Sequence, residues 1–238
     1  MFSTCKRLDI TGQRLPFLQY IVSLAVVQAA QQEAARMLAA VGASGASARS
    51  IHGSSGNSSG GQDSSISGGS SSSIDVRIKW PNDIYAGSLK LGGILCHSAY
   101  RDRLFYVTMG VGLNVANCQP TTCLDALLEA AARSRGLPAP PPIPREALLA
   151  RILSQLEPML DRLCREGFAP FEADYYSTWL HSGQRVQLQE DGRQVGVCIE
   201  GLSQHGYLLA SDEAGERYEL HPDGQSLDFF QGLIKKKV

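Results

Sequence analysis

The stretch from Ile74 to Asn114 reads IDVRIKWPNDIYAGSLKLGGILCHSAYRDRLFYVTMGVGLN. Ile74, Val76, Ile78 and Trp80 alternate with Asp75, Arg77 and Lys79. That period of two marks a strand with one buried face, so Lys79 faces away from Trp80. Pro81 ends the strand because it has no N–H for a ladder, and Asn82-Asp83 brings turn chemistry. Lys90 leads into the Gly92-Gly93 pair. Gly92–Tyr100 and Leu104–Val115 read as a hairpin across Arg101-Asp102-Arg103. The hairpin closes on Gly110-Val111-Gly112-Leu113-Asn114, whose alternate members Gly110, Gly112 and Asn114 share a face.

These residues suit an anionic small molecule. A lysine at a strand end is ordinarily a solvated edge charge. Lys79, however, ends a strand that follows a long insertion and is expected inside the sheet. A lysine removed from water there needs an anion, and a ligand's carboxylate or phosphate would serve. Lys90 either sits in solvent or caps the loop beside a ligand. Gly92 and Gly93 either let a ligand approach the backbone or mark a simple bulge. Gly110 and Gly112 leave a trough, and Asn114 offers both a donor and an acceptor, as an adenine edge requires; the alternative is a close crossing of two layers. The Gly-x-Gly lacks the following helix of a dinucleotide-binding turn. The sequence offers no P-loop, no Ser-His-Asp set and no paired-carboxylate set. His97, His181 and His205 stand apart and read as ordinary surface or core histidines.

Outward from this stretch, Met1–Ile10 reads as a strand end and a polar turn. Leu15–Ala40 reads as a helix with Pro16 at its first position. Its stripe of Leu18, Ile21, Val22, Ala25 and Ala29 is widened by Phe17, Leu24 and Val27, so it is expected between layers rather than on the surface. The Gly/Ser tract from Gly42 to Ser73 has too little apolar surface to offset ordering and reads as a disordered insertion. Thr122 and Asp125 resemble a capping box opening a helix to about Arg135. After a Pro-rich link, Pro138 to Pro144, a helix spans Arg145 to Glu166. Gly167 is its C′ residue, and Pro158 is expected to kink or divide it. An aromatic helix, Phe171 to Leu180, follows. Short strands at Arg185–Leu188, Val195–Gly201, Tyr207–Ala210 and Arg217–His221 then suggest a small antiparallel barrel. The fold class is α+β: a mixed or antiparallel sheet packed with helices over 1–181, then a small β-barrel over 182–238.

The 238 residues carry a net charge of −1, which gives no basic excess for nucleic acid or an anionic membrane. Hydrophobic content of 43% with 19% charged residues is that of an ordinary globular chain. No apolar run approaches the roughly 18 residues of a membrane span. Lys235-Lys236-Lys237 reads as a solvated tail. Six cysteines without a C-x-x-C pair, and no secretory signal, point to free thiols in a reducing, cytoplasmic setting, with an organelle as the alternative. Cys118 and Cys123 flank a loop without histidine partners for zinc.

Lys79-Trp80-Pro81-Asn82-Asp83-Ile84, then Lys90-Leu91-Gly92-Gly93-Ile94-Leu95, then Gly110-Val111-Gly112-Leu113-Asn114, together resemble biotin–protein ligase, most of all its eukaryotic form, holocarboxylase synthetase. Gly12-Gln13-Arg14-Leu15-Pro16-Phe17, the stretch from Tyr176 through His181-Ser182-Gly183-Gln184, and His221-Pro222-Asp223-Gly224 are similar too. The resemblance covers nearly everything outside the Gly/Ser tract. It implies a catalytic domain like that of class II synthetases and a C-terminal SH3-like barrel. It implies ATP, biotin and Mg²⁺ as substrates and ion, and carrier domains of biotin-dependent carboxylases (acetyl-CoA carboxylase and relatives) as partners. It implies Lys79 as the catalytic cation, and a biotin and adenylate site from Lys79, Asn82, Asp83, Lys90, Gly92, Gly93, Leu95, Gly110, Gly112 and Asn114. A lipoate-attaching enzyme of the same superfamily fits Trp80-Pro81-Asn82-Asp83 and the barrel less well. The family's Gly-Arg-Gly-Arg-type loop, with the Thr-Asn and Gln residues before it, would precede Met1. The expectation is an N-terminally truncated catalytic domain, with little or no turnover if the polypeptide begins at Met1; a non-catalytic remnant that binds carrier or ligand is the competing reading.

Overall fold

The computed structural model describes residues 1–49, 74–190, 193–221, 225–228 and 233–236. Its first sheet has five strands: β1 (Phe2–Leu8), β2 (Arg77–Lys79), β3 (Asp83–Ala86), β4 (Leu89–Arg101) and β5 (Leu104–Leu113). They lie in the order β1-β5-β4-β3-β2, every pair antiparallel. Met1–Ile10 thus holds a full strand, paired with β5 over seven residues, rather than a strand end. The β4–β5 hairpin turns on Asp102 and Arg103, both at positive φ (50° and 63°). Two central residues in that region make the primed turn that matches strand twist.

Ile78, Ile84, Leu91, Ile94, Val107, Met109 and Val111 fill the sheet's inner face and are buried. Helix α1 (Phe17–Arg49) lies against it, with α3 (Arg145–Glu166) on the helix's far side. Apolar residues round most of α1 explain that central place: Leu18, Ile21, Val22, Leu24, Ala25, Val27 and Ala29 are all buried. The helix continues beyond Ala40 to Arg49, so the first part of the Gly/Ser tract is helical, not disordered. Its alanines and an already formed helix end favour propagation over a fresh break. The remainder of that tract, 50–73, lies outside the described residues.

Helix α2 (Leu124–Ser134) starts at an N-cap Cys123, not at Thr122. The Asp125 carboxylate accepts the Ile143 N–H at 2.8 Å instead of closing a capping box. Cys118 and Cys123 are joined in a disulfide, which corrects the expectation of six free thiols; Cys5, Cys96, Cys164 and Cys198 are free. The α3 helix passes through Pro158 unbroken. Pro158 is exposed, and buried Leu156 and Leu160 on either side keep the stripe seated. Arg14 donates from Nη1 to the carbonyls of Leu163 and Cys164, satisfying the C-terminal end of α3.

After the short α4 (Glu172–Thr178), a second sheet holds β6 (Arg185–Glu190), β7 (Arg193–Leu202), β8 (Leu208–Asp212), β9 (Arg217–Leu220), β10 (Gln225–Asp228) and β11 (Leu233–Lys236). Its order is β10-β11-β6-β7-β8-β9, and β11 runs parallel to β6. Two strands beyond His221 therefore join the four expected, and Lys235 and Lys236 belong to β11 rather than to a tail; Lys237 lies outside the described residues. One hydrophobic core runs from α1 into Val186, Leu188, Ile199 and Leu208 of this sheet. No helix among the described residues is long and apolar enough to cross a membrane.

Glu33 ties α1 to α3. Only 1% of its side-chain surface is exposed, and it accepts from Arg36 at 2.6 Å and from Arg151 at 3.1 Å. Hydrogen bonding from Arg36, with Arg151 adding to it, holds its carboxyl below the usual carboxylate range despite burial. Glu33→Gln should lower stability at neutral pH by about 1–3 kcal/mol, since both guanidinium partners stay in place. The folded pKa lies below the unfolded one. The contribution is therefore complete above the unfolded carboxylate value and is lost as pH falls through the folded value. Urea unfolding of both proteins should show the gap narrowing as pH falls from neutral through the carboxylate range; a pH-independent gap would contradict the assignment.

Candidate active site

Strand register sets four residues abreast on the outer face of the first sheet: Lys79 of β2 opposite Asp83 of β3, Asp83 opposite Gly93 of β4, and Gly93 opposite Gly112 of β5. The next row pairs Leu95 with Gly110, and Gly110 with Ser3. Glycines thus pave the floor, with cationic and acidic groups on one side. A Cβ at Gly110 would meet only the Leu95 carbonyl, at 3.5 Å, and one at Gly112 would meet the Gly93 carbonyl at 3.8 Å and the Met1 side chain at 4.0 Å. The floor is therefore open above these two positions. A concavity that includes Met1, Gly112, Asn114 and Arg145 adjoins its far end.

The two lysines differ in their partners. Lys90 is ion-paired with Asp83, 2.6 Å from its Oδ1, and both groups reach solvent. Lys79 is partly buried, and its Nζ stands over the Tyr85 ring, 5.7 Å from the centroid. No carboxylate among the described residues lies within ion-pair distance of it. Leu95 is 71% exposed beside the glycine floor, an apolar group standing in water.

The remaining predicted residues brace the floor. Asn82 donates its side-chain amide to the Ile94 carbonyl and accepts the Ile94 N–H through its own carbonyl, both at 2.8 Å, so the turn after Pro81 is fastened to β4. Asn114 donates to Thr121 Oγ1 and the Thr122 carbonyl, while its backbone meets Leu91 and Leu124. Its amide N–H groups are thus occupied in shaping the loop into α2. Gly92 is required by packing, since a Cβ there would lie 2.3 Å from the Gly112 carbonyl. At Gly93 a Cβ would come within 3.2 Å of Asp83 Oδ1 and disturb its pair with Lys90.

Lys79 lies in the terminal strand of the sheet, not in its interior. The outer edge of β2 is nevertheless closed. Ile78 forms a parallel bridge with Trp179, and the Leu180 N–H donates to the Ile78 carbonyl at 2.9 Å. The Trp80 N–H donates to His181 Nε2, also at 2.9 Å. His181 is fully buried, and burial pushes its pKa down to about 4. It is neutral, with its proton on Nδ1 facing the Gln184 side-chain carbonyl at 3.1 Å. The expectation of an ordinary histidine missed this contact, which spans 101 positions of sequence. Tyr20 was missed as well. Its hydroxyl receives the Trp80 indole N–H at 2.9 Å and donates to the Gly206 carbonyl in the second sheet's β7–β8 turn.

Residues 1–114 match the Biotin/lipoate A/B protein ligase family. "Biotin--protein ligase 2" of Arabidopsis thaliana is 49% identical over 168 residues, 69% of this chain and 50% of the relative. "Biotin--protein ligase 1, chloroplastic" of the same plant is 39% identical over 231 residues, 95% of this chain and 53% of the relative. The chain belongs to the biotin–protein ligase family. It spans about half the length of these curated relatives. The solved structure of the biotin protein ligase from Aquifex aeolicus in complex with biotin and ATP shares the fold: the TM-score is 0.53 at 19% identity, over 92% of this chain and 74% of that one.

The glycines separate packing from open floor in a way unfolding can read. Gly92→Ala should lose about 2–4 kcal/mol, because the collision is with backbone and not with a side chain that can swing aside. Gly110→Ala should stay within about 1 kcal/mol of the parent, as its Cβ meets only an ordinary contact. Urea melts of the two variants should fall on opposite sides of that divide; equal losses would mean the floor at Gly110 is covered.

Proposed function

We propose that this protein activates biotin with ATP to biotinyl-5′-AMP and passes the biotinyl group to a lysine of a biotin carboxyl carrier domain, as in acetyl-CoA carboxylase and related carboxylases. The observation that carries this is Lys79: a partly buried ammonium, without a carboxylate partner among the described residues, at the end of a row floored by Gly93 and Gly112. Membership of the family, and a fold-sharing ligase solved with biotin and ATP, support the choice of ligands.

In the first step a carboxylate oxygen of biotin attacks the α-phosphorus of ATP and pyrophosphate departs, taking the bonding pair of the broken P–O bond. Mg²⁺ enters with the triphosphate as its counter-ion. Two anionic groups must approach each other, and Lys79 offsets that repulsion while charge crowds on the phosphoryl oxygens. The glycine floor gives the ligand access to backbone, with Leu95 as an apolar neighbour. Lys90 and Asp83 flank it as a neutral pair, so the net positive charge on this side comes from Lys79. Asn82 and Asn114 set the shape of the floor. In the second step the neutral amine of the carrier lysine attacks the acyl carbon of the mixed anhydride. An amide forms, AMP leaves, and one proton is released. We assign residues 1–181 to the catalytic domain and 182–238 to a small C-terminal barrel, and place the reaction in the cytoplasm; the name of one relative makes a plastid the competing compartment.

Incubation with MgATP, labelled biotin and an apo carrier domain should transfer label to the carrier. Biotin bound without label transfer would favour the non-catalytic reading, and neither binding nor transfer would reject the ligand assignment. Lys79→Ala should reduce biotin-dependent pyrophosphate release by about 100-fold or more while the melting temperature holds, the scale for losing one preorganised charge. Release at the parent rate would remove Lys79 from the chemistry.

A further inference from the structure

We infer that His181 and Tyr20 act as positioning residues for Lys79 by clamping the tryptophan next to it. Resting on the ligase reading, this assigns to one histidine and one tyrosine a task that the floor residues do not perform. Trp80 is held twice. Its backbone N–H donates to His181 Nε2, and its indole N–H donates to the Tyr20 hydroxyl, each at 2.9 Å. The two holds come from different directions in the sequence: Tyr20 lies in α1, and His181 follows α4. Together they fix the strand end from which Lys79 projects, with Trp80 packed inward and Lys79 outward.

Each element of the clamp is packed in place. Tyr20 and His181 are almost wholly buried. Tyr20 keeps its proton, burial pushing its pKa up to about 12, and passes the hydrogen bond on to the Gly206 carbonyl. Gly206 itself is wedged, because a Cβ there would lie 3.2 Å from Pro16 and 3.3 Å from Tyr20, and its φ is +80°. The neutral histidine has one acceptor nitrogen, and that nitrogen faces the Trp80 N–H. Replacing it with an apolar group would leave a buried backbone donor without its acceptor, just past a terminal strand whose outer edge has no full neighbouring strand. The turn would then relax towards water, and Lys79 would move with it. A displacement of about 1 Å of a catalytic group is enough to cost about 100-fold in rate.

The test uses the whole chain with three substitutions: His181→Leu, which removes the acceptor; His181→Gln, whose side-chain oxygen replaces Nε2; and Tyr20→Phe, which removes the hydroxyl. Amide hydrogen exchange at Trp80 should quicken by about 10-fold or more in His181→Leu and stay near the parent in His181→Gln, with amides in the middle of α1 unchanged. In biotin-dependent ATP–pyrophosphate exchange, kcat should fall by about 10- to 100-fold in His181→Leu with KM for ATP little altered, and His181→Gln should recover most of it. Tyr20→Phe should lie between, with faster exchange at the Trp80 indole N–H, which loses its acceptor. Parent-like protection of the Trp80 amide in His181→Leu would overturn the clamp. Equal losses in the leucine and glutamine variants would reduce His181 to a packing residue and overturn it too. Should His181→Leu fail to fold, the glutamine and Tyr20→Phe variants decide. A parent protein without pyrophosphate exchange would reject the ligase reading alone; the clamp would still be judged by amide protection.

Discussion

A short terminal strand that carries a partly buried cation faces a conflict. Its free edge exposes N–H and C=O groups that seek partners, and any wobble in meeting that need is transmitted to the side chain. Here β2 has three residues and one neighbouring strand. The conflict is met by the segment from Trp179 to His181, which supplies a bridge at Ile78, a donor to its carbonyl and an acceptor for the Trp80 N–H. The row of residues on the outer face begins at this closure. With β2 held, β3 registers against it, β4 against β3 and β5 against β4, and the row from Lys79 to Gly112 comes into line.

Much of that sheet was legible in the sequence because its causes are local. Alternation from Ile74 to Trp80 separated Lys79 from the buried face, and Asp102-Arg103 lay where a hairpin had to turn. The shared face of Gly110 and Gly112 followed from counting by two. Other features depend on distant partners. His181 gained its meaning from a residue 101 positions away, and Asn114 from a loop that folds back on it. Pro158 looked like a breaker because local rules see the missing N–H but not the leucines that seat the helix on either side. The extension of α1 to Arg49 and the pairing of Cys118 with Cys123 were likewise settled by context and not by composition.

Charge on the outer face is arranged economically. Lys90 and Asp83 neutralise each other across 2.6 Å, leaving the Lys79 ammonium without a carboxylate partner among the described residues. Had Asp83 turned to Lys79 instead, directly opposite it in register, the floor would carry its positive charge elsewhere. The bulge between Ile84 and Tyr85 brings Lys90 opposite Tyr85, within reach of that carboxylate. A backbone irregularity of one residue thus decides which amine stays available, a compact instance of sheet geometry setting electrostatics.

Gly92 and Gly112 touch through backbone alone, the carbonyl of one filling the space where a β-carbon of the other would stand. Any side chain at position 92 would therefore disturb the fold before it could alter chemistry. Gly110 has no such bar, so its retention or loss among descendants of this chain would report selection on what lies above the sheet. Two glycines a few ångströms apart would then keep separate histories, one written by sterics and the other by use.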